Sequence, residues 1–375
     1  MRIVIFCHSL ISDWNHGNAH FLRGVVAELL DRSHEVAVYE PADGWSRQNL
    51  IAEAGENAVA RFHRAFPRLR SSAVDYGRLA DGGLDEALDG ADVVIVHEWS
   101  PASLITAIGR HRARGAGYLL LFHDTHHRSV SDAEALSAIA LDAYDGVLAF
   151  GEVIRQRYVS LGWARRAWTW HEAADTRVFQ PLKPESAMQA DVVWIGNWGD
   201  GERTEELRSY LIDSVRELRL TATIYGVRYP DAAKAELTSA GIHYHGWLPN
   251  YEAPRAYAEH RMTVHVPRRP YVRALPGIPT IRVFEALACG VPLVSTEWHD
   301  VEGLFTPGND YLVARTPAAM RSHLAALRHD EGLRQHLAAH GLATIRARHT
   351  CAHRVDELLG IVHQARGAAP EVVAV

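Results

Sequence analysis

Cysteine and lysine are both scarce in this chain of 375 residues. Cys7, Cys289 and Cys351 are widely spaced and form no Cys-x-x-Cys pair. An odd, sparse set argues against a disulfide framework and fits a reducing, cytoplasmic setting. Lys183 and Lys234 are the only lysines, so arginine supplies nearly all positive charge. Schiff-base or pyridoxal-phosphate chemistry would need one of those two, and neither sits in a motif. No apolar run approaches the length needed to span a bilayer. The opening Arg2 to Cys7 is too short for a signal h-region and reads as a buried strand, so no integral membrane contact is expected. The formal net charge of −6 carries no basic excess that would point to nucleic acid.

What is present is an ordinary globular composition, 47% hydrophobic and 22% charged, at a length that indicates two domains. Strand-like runs alternate with helical patterns, which predicts α/β domains with parallel sheets. In the first half the strands are Ile3 to Cys7, His34 to Tyr39, Ala91 to His97, Gly117 to Phe122 and Val147 to Phe150. Helical stretches are expected at Ala19 to Leu30, Arg47 to Leu69, Ser103 to Arg112, Ser131 to Asp142 and Val153 to Leu161. Residues 172–190 read as a linker stiffened by Pro181 and Pro184. The alternation then resumes. The expected units are 1–171, the linker 172–190, a second domain 191–350, and a helix and tail over 351–375 that packs back on the first domain. The end of that tail is expected to fray.

The most informative stretch runs from Gly277 to Ser295. Arg282 and Glu285 lie one turn apart on a predicted helix that ends at Gly290, with Pro292 beyond it. A guanidinium fork suits a diphosphate, and a carboxylate suits the two hydroxyls of a ribose. The run Arg-Val-Phe-Glu-Ala-Leu-Ala-Cys-Gly resembles the C-terminal domain of GT-B glycosyltransferases, in the CgeB-like, glycosyltransferase family 4-like group. That resemblance implies two Rossmann-like domains facing each other across a cleft. It implies a nucleotide-sugar donor held by Gly277, Ile278, Pro279, Thr280, Arg282 and Glu285. Retaining families bracket this helix with two glutamates. The first position is Gly277 here, a departure that leaves a backbone approach to the donor in place of a carboxylate.

Other segments follow the same resemblance. Gly196 to Gly201 with Arg203 is a Gly-rich turn feeding a helix, able to cradle phosphate. Related enzymes place an arginine just after the first glycine, where this chain has Asn197, so Gly196 and Arg203 are carried over and Arg228 is a possible substitute. Trp247, in His245-Gly-Trp-Leu-Pro-Asn250, is expected beside the base. Of Arg268, Arg269 and Arg273, Arg273 is the nearest to the signature and is assigned to the donor. In the first half, the loop after strand one lacks Gly-x-Gly-x-x-Gly, which argues against a dinucleotide site. Gly17 and Asn18 are carried over there. His123 and Asp124, at the end of a central strand, are the candidates for contact with the sugar.

The activity implied is transfer of a sugar to an acceptor (glycan, lipid-linked or small molecule), as in polysaccharide or glycoconjugate synthesis. No cofactor or metal is expected, since Arg203 and Arg282 would neutralise the departing diphosphate. Retention is favoured by analogy. Inversion would need a base, for which Asp13, His16, His123 or Asp124 are the candidates. A non-catalytic nucleotide-sugar binding protein and an epimerase on the same architecture stay open as alternatives.

Overall fold

The computed structural model describes residues 1–185 and 189–367. The expected frayed tail and part of the linker lie outside those residues. Two parallel sheets make up the chain. The first contains β1 (Arg2–Phe6), β2 (Glu35–Pro41), β3 (Ser72–Val74), β4 (Val93–His97), β5 (Leu119–Asp124), β6 (Gly146–Ala149) and β7 (Ala167–Thr169). Its spatial order is β3-β2-β1-β4-β5-β6-β7. The second contains β8 (Ala190–Ile195), β9 (Ala222–Tyr225), β10 (Ile242–Tyr244), β11 (His260–His265), β12 (Leu293–Thr296) and β13 (Leu312–Ala314), ordered β10-β9-β8-β11-β12-β13. In both sheets the order reverses beside the first strand, giving one switch point between β1 and β4 and another between β8 and β11. Loops at such points splay apart and leave a crevice at the strands' carboxyl ends.

The central strands are apolar on both faces because helices cover both. Every residue of β4 and of β5 is buried, and Val93 pairs with Ile3 on one side and Leu119 on the other. Helix α1 (Asn18–Asp31) is buried along most of its length, from Asn18 through Val26. It is enclosed by the first sheet, the interdomain segment and the last helix, so an apolar surface nearly all round is what its position demands.

Several expected elements differ in detail. The stretch 47–69 is two helices, Trp45–Ala54 and Asn57–Ala65, divided at Gly55, whose φ of 73° ends the first. The helix expected over 131–142 is two short pieces, Arg128–Ser131 and Ala133–Ser137, interrupted by Asp132 in a non-helical conformation (φ −149°, ψ 45°). The arginine run after β11 forms a short helix, α2 (Arg269–Ala274). The signature helix α3 spans Ile281–Ala288, and Gly290 follows it in the left-handed region.

The segment between the sheets is packed. Ala173, Ala174 and Phe179 are buried, and the Asp175 N–H donates to His20 Nε2 at 2.8 Å. Further on, α4 (Glu331–Arg348) lies against α3, and α5 (Cys351–Gly367) returns to lie on α1. Trp170 Nε1 donates to the Arg354 carbonyl at 2.8 Å, and Arg32 pairs with Asp356. The two places where the chain passes between the halves are laced together. The Ala174 N–H donates to His349 O at 3.0 Å, and the Cys351 N–H donates to Ala174 O at 2.9 Å. No helix among the described residues is long and apolar enough to cross a membrane.

Candidate functional site

A cavity of ≈ 610 Å³ lies where the two switch points face each other. From the first sheet, its walls take the loops after β1, β4 and β5. From the second they take the loops after β8, β9 and β11, the Trp247 segment and the start of α3.

The second domain contributes four guanidinium groups, those of Arg203, Arg228, Arg268 and Arg282. Arg203 follows the turn after β8. A side chain on Gly199 would overlap its aliphatic stem, so the glycine lets the guanidinium fold back across the turn. It donates to Val266 O at 3.0 Å, to Asn197 O at 2.9 Å and to Asn197 Oδ1 at 2.6 Å, and lies 5.0 Å from the Trp194 ring. It forms no ion pair with a carboxylate among the described residues, and its Nε is buried without a partner. Burial, and next the neighbouring Arg268, pull its pKa down to about 9. Arg268 pairs with Glu202 and also reaches Asn197 Oδ1 at 3.2 Å. Asn197, expected to mark a lost contact, thus bridges two of the arginines. Gly196 lines the cavity, and Gly226 passes so close to it that a Cβ there would overlap the Gly196 carbonyl oxygen. Arg228 also lines the wall, paired to Asp200 at 3.0 Å.

Arg282 and Thr280 face the cavity; Glu285 does not. Glu285 is 0% exposed. One carboxylate oxygen binds Arg282, and the other lies 2.9 Å from His20 Nδ1 of α1. Burial pushes its pKa up, but Arg282 and His20 outweigh that and hold it low. Both oxygens are thus engaged, and Glu285 anchors Arg282, which faces the cavity. Gly277, Ile278 and Pro279 also fall outside the wall. Gly277 (φ 94°) turns its α-carbon toward Val301 and Glu302, and Ile278 closes on Gly151 of the first domain. Arg273 is exposed at the end of α2, away from the cavity, and Arg268 occupies the place expected for it.

Trp247 is in the wall and binds across the cleft, its Nε1 donating to Asp13 Oδ1 at 2.8 Å. Asp13 also accepts from Arg23 (3.0 Å) and from the Asn250 N–H (3.0 Å), so this carboxylate is fully engaged and unsuited to act as a base. Gly17 and Asn18 line the cavity at the start of α1. A Cβ on Gly17 would sit 3.1 Å from Ile281 of the other domain, which explains a glycine at this close approach. His16 also lines the wall, held neutral by burial.

His123 and Asp124 do not reach the cavity. Strand β5 extends through Asp124, two residues past the expected end, so both side chains are buried in the sheet layer. Burial takes the His123 pKa down to about 3. Asp124 accepts from Tyr158 Oη at 2.8 Å, and burial raises its pKa and that of the adjoining Glu98. The wall is built by the next three residues, Thr125, His126 and His127. Although histidines are numerous here, no group of three or more His, Cys, Asp or Glu among the described residues is placed to hold a metal ion.

Glu172, in the interdomain segment, is a wall residue that motif reading passed over. It is buried and accepts from Asn18 Nδ2 at 3.1 Å. Burial raises its pKa to about 7. Unlike the carboxylates of Asp13, Asp200 and Glu202, its carboxylate forms no ion pair with an arginine among the described residues. No sequence pattern singles it out; only its buried place between the two domains does.

Residues 203–360 match the model of a family described as glycosyl transferase-like. No curated protein matches the chain by sequence. Among solved structures, the chain is similar to a glycosyltransferase from Rickettsia africae ESF-5 (TM-score 0.67, 12% identity, covering 98% of this chain and 99% of that one). It is similar to sucrose-phosphate synthase from Thermosynechococcus elongatus (0.67, 11%, 98% and 100%). It is also similar to Anabaena HepE in complex with UDP and glucose (0.68, 14%, 97% and 99%). At these identities the likeness establishes the two-domain GT-B fold.

Proposed function

We propose, for a chain that is a glycosyltransferase of the GT-B type, that the donor is a nucleoside diphosphate sugar whose diphosphate lies among Arg203, Arg268 and Arg282. The observation that carries this reading is Arg203, a cation facing the cavity with no carboxylate in contact. A diphosphate would supply the missing charge, and the same cations would stabilise the charge that develops as it departs. Trp247 flanks the base side, in keeping with neighbouring structures that hold UDP. The first domain supplies the acceptor. We extend the reading to metal-independent transfer with retained configuration in the CgeB-like, family 4-like group; the signature helix is what supports that grouping.

The test is a panel of UDP-, GDP- and ADP-sugars incubated with the protein and 10-fold excess EDTA, following nucleoside diphosphate release and the product anomer by NMR. Expected is release from one nucleotide class, unchanged by EDTA, with the donor's anomeric configuration in the product. Tight nucleotide binding without any release would favour the non-catalytic alternative.

A further inference from the structure

The corner of the cavity formed by the loops after β4 and β5 has a chemistry unlike the arginine side. Trp99 lines it, yet the residue is 45% exposed. An indole left open to water inside a cleft is hydrophobic surface available to a ligand. Its position is fixed. The Arg128 guanidinium lies 5.0 Å from the ring, and the His126 ring meets it edge-on at 5.2 Å. Beside it stand His126 and His127, their ring centres 3.8 Å apart and their planes tilted by 35°. His127 is only 3% exposed; its Nδ1 pairs with Ser131 Oγ at 2.8 Å, while Nε2 makes no hydrogen bond and lies 3.5 Å from Glu202. His126 Nδ1 is likewise buried without a partner. Buried unpartnered nitrogens are costly unless a ligand completes them.

Resting on the transfer reading above, we propose that this corner is the acceptor subsite and that the acceptor presents an uncharged pyranose ring stacked on Trp99. Three properties select that chemistry. The face of an indole is electron-rich and attracts the weakly positive C–H groups that a pyranose presents on one side. Both imidazoles are kept neutral by burial, and the nitrogens without a partner, His127 Nε2 and His126 Nδ1, each suit a hydroxyl, which both donates and accepts. The nearby cations are already matched. Arg128 is tied to Asp132 at 3.2 Å, and Arg268 to Glu202. A phosphorylated or carboxylated acceptor therefore finds no unpaired cation at this corner, and an aliphatic one leaves the imidazole nitrogens unsatisfied.

The experiment is saturation-transfer NMR on the full chain with methyl glucopyranoside, galactopyranoside and mannopyranoside, each with and without saturating UDP. Cyclohexylmethanol serves as a ring of similar size without the hydroxyls. At least one glycoside is expected to show saturated ring protons. Trp99→Ala weakens that binding about tenfold, and Trp99→Phe keeps it within about threefold. Both variants keep the UDP-induced melting shift. The proposal is overturned if no glycoside binds in either state, if Trp99→Ala binds like the parent, or if cyclohexylmethanol binds as well as the sugars. It is also overturned if Glu172→Gln removes glycoside binding while Trp99→Ala does not, since the ring would then lie deeper in the cavity. Absence of a UDP shift in the parent protein counts against the donor reading alone, because the glycoside arm without UDP is independent of it.

Discussion

Replacing Arg203 by methionine removes the least neutralised charge in the cavity. Its guanidinium meets two backbone carbonyls, the Asn197 amide and the Trp194 ring, and burial brings its pKa down to about 9. A guanidinium still stays protonated at neutral pH. Burial first and Arg268 second lower its pKa, and no carboxylate in contact offsets them. Each hydrogen bond to a charged group is worth about 1.5–3 kcal/mol, so losing one or two to a diphosphate costs on the order of 100-fold in Kd. With UDP at about 100 times the parent Kd, binding stabilises the parent by about 2.7 kcal/mol. At that concentration the variant is only half saturated, and stabilisation falls to about 0.4 kcal/mol. For domains of this size each kcal/mol moves Tm by about 2–4 °C, which gives a shift of about 5–11 °C in the parent and about 1–2 °C in the variant. Without UDP the two should melt within about 1 kcal/mol of each other, since loss of two carbonyl partners is set against removal of an uncompensated charge. Scanning fluorimetry reads both quantities. An undiminished UDP shift, or a ligand-free variant far less stable than the parent, would refute the reasoning.

Two further substitutions separate aiming from contact. Glu285→Ala takes the carboxylate from His20, which is buried, and from Arg282, which opens to the cavity, and should cost about 3 kcal/mol of stability, read as a lower urea midpoint; an unchanged midpoint contradicts the buried pairing. Glu172→Gln addresses pH. The Glu172 carboxyl, raised by burial to about 7 from its ordinary 4.5, keeps its proton in the folded chain where the unfolded chain has lost it. The stability it contributes is fully present below pH 4.5 and is lost as pH rises through about 7. Melting curves from pH 4 to 8 should show the parent losing roughly 1–3 kcal/mol relative to the glutamine variant across that window. Parallel curves would mean the carboxyl is not perturbed.

The central strands were legible because burial on both faces writes an uninterrupted apolar run, as in Val93–His97. The edge strands Ser72–Val74 and Leu312–Ala314 were not, since three residues with partly exposed side chains leave no such record. Arg282 could be picked from local chemistry and Arg203 from the family resemblance, and both reach the cavity. Glu285 looked equivalent to Arg282 because a helix turn joins them. What removes it from the cavity is His20, from the other domain, and nothing local announces that. His123 and Asp124 missed the wall by one to three positions, because a strand's end decides which side chain is buried and which is free. Arg273 was chosen over Arg268 by closeness to the signature in sequence, whereas closeness to the end of β11 decides what lines the crevice. Glu172 had no periodicity or spacing to mark it, and its role arises from the way the halves meet.

The lacing of Ala174 to His349 and Cys351 bears on how substrates enter. Two passages of main chain held edge to edge act as a paired door hinge. They leave swinging about one line as the soft motion, since sliding or pulling the halves apart would break these main-chain hydrogen bonds. Admission of donor and departure of product then depend on a single angle, and a ligand bridging both leaves sets it.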